Sequence, residues 1–216
     1  MNPALVLMCS PHADGVSDRL AHCFADALAH TGCPVCRVPL RAHPVLPCTG
    51  CGTCSRPPHA CVLAPRDEAE WLFARFAEAP LVLMASPIFF YALPAGLKAW
   101  IDRGQRFWAV HAARLRAGEG DGRPFPHRTA AAKPVLAALA AGRPRGEELF
   151  SGALRTLTWF LAPLGARLAE NRGFRGLDRR EDLDARPEVA EDMREWGRCW
   201  GERLCAGREE RGEEAS

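Results

Sequence analysis

Short, uncharged apolar runs recur along this chain, and each is followed by a longer stretch whose apolar residues repeat with helical spacing. Ala4–Met8 reads ALVLM and Leu81–Ala85 reads LVLMA. Runs apolar at every position suit strands buried on both faces, as parallel sheets require. Val35–Leu40, Pro134–Leu139 and Ala166–Phe174 are weaker examples. Between and after them lie helical patterns. Ser17–Thr31 carries Leu20, Cys23, Phe24, Ala27 and Leu28 on one face. Glu68–Glu78 turns Trp71, Leu72 and Phe76 inward. A helix runs from Pro94 through Trp100 to about Arg116. Glu147–Leu164 buries Leu149, Leu154, Leu157, Phe160 and Leu161, and Val189–Cys205 closes the chain. Repeated strand–helix alternation predicts an α/β, three-layer sandwich: a five-stranded parallel sheet with helices on both faces. The 216 residues suffice for one substantial core. Residues 1–206 read as one domain and 207–216 as a charged, frayed tail.

Open parallel sheets bind ligands beyond the carboxyl ends of their strands. Three loops qualify: after Cys9, after Ala85 and after Leu139. The first, residues 10–18, has hydroxyls at Ser10 and Ser17 around a turn with Gly15. A helix starts there, and its free N–H groups and partial positive charge suit a phosphate monoester. The alternative is that Ser17 simply caps the helix. No G-x-G-x-x-G is present, so this is not a dinucleotide fingerprint. The second loop, Ser86 to Pro94, is apolar and aromatic. It suits a flat ring bordered by open backbone amides, or else packs on a neighbour.

Taken together, Ser10–Asp18 and SPIFFYALPAGLKAWID (Ser86–Asp102) resemble the flavodoxin-like NAD(P)H-dependent FMN reductases. Ser86, Pro87, Leu97, Lys98, Ile101, Asp102 and Arg103 carry the second motif, and the resemblance extends from Ala4 to about Gly176. It implies a flavodoxin-like fold with FMN bound non-covalently. Ser10, His12, Gly15, Val16, Ser17 and Asp18 would surround the phosphate. Ser86, Pro87, Ile88, Phe89, Phe90 and Tyr91 would border the ring, with Gly142 in the third loop. It further implies NAD(P)H as reductant, a quinone, flavin or other small molecule as acceptor, and a homodimer or homotetramer. No catalytic side chain is implied, because the cofactor carries the chemistry. Three departures stand out. His12 occupies a usual arginine position, Val16 a usual asparagine and Phe89 a usual tyrosine. The third loop reads Ala140-Ala141-Gly142-Arg143 where a hydroxyl and two glycines are usual.

Ten cysteines demand a separate account. The N-terminus lacks the basic region of a secretory leader, so a cytoplasmic setting with reduced thiols is expected. Within the loop 44–65, Cys48, Cys51, Cys54 and Cys61 form a C-x2-C-x2-C-x6-C run, with Gly50 and Gly52 to turn the backbone. Three thiols at this spacing favour an iron–sulfur centre over zinc, which usually takes two separated pairs. Zinc, free thiols and a disulfide remain open. The run resembles that of the iron–sulfur flavoprotein branch of the family, which implies a [4Fe-4S] cluster on those four residues, relaying single electrons. The other function this allows is an electron carrier between proteins, fed by a ferredoxin-like donor and without its own nicotinamide site. His59 lies in the same loop and is a candidate to hydrogen-bond a cluster. Cys33 and Cys36 read as structural. Cys9, Cys23, Cys199 and Cys205 fit core faces; Cys199 and Cys205 share one helix, but nothing presses a redox pairing of the two.

Other function classes are disfavoured. The net charge is only +2, from 28 basic and 26 acidic residues, so nothing pulls the chain towards nucleic acid or membrane. Ala79–Leu97 is uncharged but is interrupted by Ser86, Pro87, Pro94 and Gly96, which argues against a membrane span. No Ser-His-Asp or Cys-His arrangement for hydrolysis stands out.

Overall fold

Every residue of Ala4–Met8 (β1) is buried, and so is all of Val82–Pro87 (β3) except its last residue. Neither carries a charged residue, and both take interior positions in the sheet. The computed structural model describes residues 2–119 and 132–213. In it Val35–Pro39 (β2), Lys133–Ala141 (β4) and Ala166–Arg175 (β5) complete one five-stranded sheet in the order β2-β1-β3-β4-β5. All pairings are parallel. This is the flavodoxin-like arrangement expected. The chain order reverses beside β1, so the loops after β1 and β3 leave the sheet side by side, opening the crevice where such sheets bind ligands.

Two cores lie on opposite faces. One packs Val16–His30 (α1) and Pro187–Glu213 (α7) over the sheet through Leu20, Phe24, Leu28, Met193 and Trp196. The other packs Ala69–Glu78 (α2), Ala95–Arg103 (α3) and Ser151–Leu161 (α5) through Phe73, Phe76, Leu97, Trp100 and Leu157. Phe73, Phe76 and Phe160 ring Trp100 at 4.9–6.1 Å.

Several expectations need amendment. The helix from Pro94 to about Arg116 is two helices, α3 and Gln105–Arg116 (α4), meeting at Gly104. A Cβ at Gly104 would stand 2.9 Å from the Ile101 carbonyl oxygen and 3.0 Å from the Phe160 ring, so only glycine lets the chain turn so close to the core. Trp71 does not face inward; it is exposed and stacks on His43 at 4.4 Å. A short helix, Arg180–Asp184 (α6), follows β5 and was not foreseen. α7 extends past Cys205 to Glu213. Residues 118–128, rich in Gly and Pro and expected from sequence to form an excursion, lie mostly outside the described residues.

Candidate functional site

At the carboxyl edge of the sheet, all three candidate loops converge on a cavity of about 460 Å³. Ser10, His12, Gly15, Val16 and Ser17 line one side, Pro87, Ile88 and Phe89 another, and Gly142 a third. Ser17 does not cap α1. Gly15 is the N-cap and no side chain caps the helix. The first turn of α1 thus borders the cavity with no side chain capping its N–H groups, which an anion there would complete. Ser10 shapes the loop: its Oγ accepts the His12 N–H at 3.1 Å.

A fourth segment, which sequence reasoning missed, closes the cavity. Leu177, Asp178, Arg179, Arg180 and Glu181, between β5 and α6, line it too. It brings two arginines to a site whose first loop has only His12. The signal was available, since the loop after the fifth strand also opens at the carboxyl edge. Gly142 is tightly enclosed there. A Cβ on it would come within 2.7 Å of Asp178 Oδ1.

Asp18, Ser86, Phe90 and Tyr91 do not line the cavity. Asp18 is fully buried beneath the first loop, where it pairs with Arg41 at 2.9 Å and accepts the Asp14 N–H at 3.2 Å. Burial raises its pKa above the usual carboxylate value although Arg41 opposes the shift. It braces the loop rather than facing a ligand. Ser86 is buried and donates to its neighbour's carbonyl. Phe90 and Tyr91 form the tip of a tight turn. Phe89 and Ala92 exchange two backbone hydrogen bonds across it, at 3.0 and 2.9 Å. Both tip residues have positive φ, 49° and 64°, and Phe90 is wholly exposed. The backbone amides expected to be open are in part occupied. Ile88 N–H bonds Ala140 O at 2.8 Å and Phe89 N–H bonds Ala92 O.

The cysteine run lies on the face covered by α2, α3 and α5, where Val45 at its start packs against the core. Cys48 and Cys51 are exposed, while Cys54 and Cys61 are half-buried. Gly50 and Gly52 adopt φ of 66° and 73°, the left-handed turns expected of them. Hydrogen bonds from Thr53 lower the Cys51 pKa. Burial and then the neighbouring Cys61 raise that of Cys54, with Cys48 and Cys51 adding in the same sense. Cys54 thus feels the charge of each of the other three sulfurs. Among the described residues, no three His, Cys, Asp or Glu side chains converge as one metal ion would require. The four cysteines are not gathered into a ready-made metal site of any kind. His59 binds the Cys54 carbonyl through Nδ1 at 3.0 Å.

A charged hub anchors this loop. The Asp67 carboxylate accepts the N–H groups of Leu46 at 2.9 Å and Ala69 at 3.1 Å, one on either side of the cysteines. Buried Arg103 pairs with Asp67, and its Nε donates to the Cys61 sulfur at 3.2 Å.

A larger hollow of about 580 Å³ lies against α1 and α7. It is away from the strand ends, although Asp14 and Arg180 border both spaces. Its size does not outweigh the convergence of four strand-end loops on the smaller cavity. No helix among the described residues is long and apolar enough to cross a membrane.

The comparisons agree with this geometry. By sequence, the chain is 30% identical over 100 residues to the iron-sulfur flavoprotein of Archaeoglobus fulgidus, a match covering 46% of this chain and 44% of that one. By structure, it resembles a flavone reductase with a TM-score of 0.65 and 16% identity, covering 93% of this chain but 62% of the other. It also resembles the NAD(P)H:quinone oxidoreductase of Methanothermobacter marburgensis, with a TM-score of 0.61, 15% identity, and 90% and 96% coverage. At such identities the structural likenesses establish the fold alone. The family model of the NADPH-dependent FMN reductases matches residues 3–165, which take in the first three candidate loops and the cysteine run. The chain belongs to that family of oxidoreductases.

Proposed function

We propose that this chain binds FMN in the cavity at the strand ends and acts as an NAD(P)H-dependent reductase of a quinone, a flavin or another small acceptor. The observation that carries the reading is the convergence of Ser10–Ser17, Pro87–Phe89, Gly142 and Leu177–Glu181 on one cavity of about 460 Å³. The uncapped start of α1, with Ser10 and Ser17, would receive the phosphate. Arg179 and Arg180 would supply the positive charge that His12 and Val16 do not. Pro87, Ile88 and Phe89 would border the ring, and Gly142 would keep the opposite wall clear. When bound, FMN supplies the acceptance of hydride and its onward transfer. The protein positions it and excludes water, and no side chain is needed as acid or base.

The cysteine run fits an iron–sulfur cluster by its chemistry. Four thiols at C-x2-C-x2-C-x6-C spacing lie on one loop, and the Cys54 thiol feels the charge of the other three. A buried nitrogen of Arg103, Nη2, lacks a partner on the guanidinium that contacts Cys61. Cys48, Cys51, Cys54 and Cys61 would hold a [4Fe-4S] cluster, which supplies one-electron transfer. The exposure of Cys48 and Cys51 favours a second reading, a carrier that exchanges electrons with a ferredoxin-like protein. We further propose a homodimer or homotetramer. Exposed Trp108 and Trp159, bordering a hollow between α3, α4 and α5, support that assembly.

Anaerobic purification followed by absorption spectroscopy, iron and sulfide analysis, and rapid mixing with NADH and NADPH tests the cofactors and the electron transfer, and sedimentation tests the assembly. Flavin bands bleached rapidly by a nicotinamide support the reductase. Reduction only by a protein donor supports the carrier. Protein that takes up no FMN overturns both.

A further inference from the structure

Arg103 is an unusual arginine. It is 2% exposed, although it carries a charge. Its Nε donates to Cys61 Sγ at 3.2 Å, its Nη1 donates to the Leu46 carbonyl at 3.2 Å and to Asp67, and its buried Nη2 has no partner among the described residues. A guanidinium in a dry site needs acceptors for all its donors. Asp67 meets only Nη1 of the guanidinium, while its oxygens also accept from Leu46 and Ala69. The remaining donor belongs to the same planar group that meets the Cys61 sulfur. An anionic, sulfur-rich centre held there would be the natural acceptor.

We propose that Arg103 is a positioning residue for the cysteine centre, fixing Cys61 and raising the centre's reduction potential by presenting buried positive charge and N–H donors to its sulfur. This rests on the reading that the run holds an iron–sulfur cluster. One-electron reduction adds a negative charge to such a centre. A buried cation and N–H···S bonds stabilise the reduced form more than the oxidised one. Asp67 acts in the opposite sense by partly neutralising Arg103. The two residues therefore predict shifts of opposite sign, which a purely structural brace does not.

The test uses the full chain, purified or reconstituted anaerobically with iron and sulfide. The variants are Arg103→Met, Arg103→Lys and Asp67→Asn, with thermal melting and circular dichroism to verify folding. Potentials are read by dithionite titration followed by electron paramagnetic resonance, and iron retention by release to a chelator. Arg103→Met should shift the one-electron equilibrium about tenfold towards the oxidised form, or ~59 mV. It should also hold iron about 10–100-fold less tightly. Arg103→Lys keeps charge but loses the fork and should fall between. Asp67→Asn should shift the equilibrium towards the reduced form. If Arg103→Met does not fold, the opposed signs of the other two variants decide. Lower melting temperatures with unchanged potentials overturn the proposal while leaving the cluster reading intact. Wild-type protein that takes up no iron and sulfide overturns the cluster reading and the proposal with it.

Discussion

The sulfur of Cys205, on α7, lies 3.5 Å from that of Cys33, at the start of the segment leading into β2. Two glycines bring them together. A Cβ at Gly197 would fall 2.3 Å from the Phe24 carbonyl oxygen, and one at Gly201 would fall 2.1 Å from Thr31 Oγ1. Residues four apart share a helix face. Gly197 and Gly201 therefore press α7 against α1, and Cys205, one turn further, meets Cys33. Cys199, six residues from Cys205 on the same helix, points elsewhere and donates to Glu195 at 3.3 Å.

Treatment with a diazene oxidant should therefore join Cys33 to Cys205. Each thiol gives up a proton and an electron, and the diazene becomes the hydrazine. Alkylation mapped by mass spectrometry should show these two thiols lost together, with Cys199 still reactive, and Cys205→Ser should abolish the loss. The link would span 172 residues, so the chain-entropy model allows up to about 5 kcal/mol of stabilisation. The oxidised protein should melt at a higher temperature than the reduced one.

Phe90 sits at the tip of the aromatic turn with φ 49°, and its side chain buries nothing. A bulky residue held there costs about 1–3 kcal/mol, whereas asparagine accepts this conformation readily. Phe90→Asn should leave stability unchanged or raise it. If the aromatic tip serves an acceptor or a neighbouring subunit, the same variant will raise the KM for quinone or weaken self-association. Denaturant unfolding, sedimentation and steady-state kinetics give the three readouts. A clear loss of stability would show that the tip is structural.

Gly142→Ala tests the third wall of the cavity. The added methyl would meet the Asp178 side chain at 2.7–2.9 Å. Asp178 Oδ1 and Cγ can rotate away, but its Cβ, 2.9 Å from the added methyl, moves only with its backbone, so the surface loop that carries it must shift while the sheet stays intact. FMN affinity should fall at least tenfold, about 1.4 kcal/mol, with little change in apoprotein melting. Fluorescence titration of FMN into apoprotein measures the first and calorimetry the second. Unchanged affinity would remove Gly142 from the site.

The parts of this fold that sequence reveals are those set by local pattern. β1 and residues 82–85 of β3 are legible because every residue in them is apolar, as a doubly covered strand requires. Gly50 and Gly52 are legible because their left-handed turns need glycine. The split at Gly104 is not, because it depends on the Phe160 ring, which arrives from a distant helix. Arg103 is the sharpest case. It belongs to the motif matched in the sequence, yet its partners Asp67 and Cys61 lie 36 and 42 residues away. A buried charge is explained only by partners the tertiary fold delivers. Arg179 and Arg180 were missed for a related reason: the strand before them is amphipathic and weak in pattern, so the loop that follows it drew no notice.

Glu170 on β5 ties the sheet to α7. It accepts the Trp196 indole N–H at 2.6 Å and an Arg203 N–H at 2.8 Å. Burial alone would raise its pKa, but the bonds from Arg203 and Trp196 outweigh that and hold it below the ordinary value of 4.5. A carboxylate depressed in the folded state contributes stability that is fully present above its unfolded pKa. That contribution falls as the pH drops below about 4.5, and is gone once the pH lies below the folded value. Its side chain is 39% exposed, so solvent screens the ion pair and the contribution should stay under about 1 kcal/mol. Glu170→Gln keeps an oxygen for Trp196 but loses the charge facing Arg203. The gap in melting temperature between wild type and Glu170→Gln should therefore be widest near neutral pH and close as the carboxylate protonates in acid. A gap that is constant across the acid range would show that Glu170 acts through packing, and that α7 is held by its apolar contacts alone.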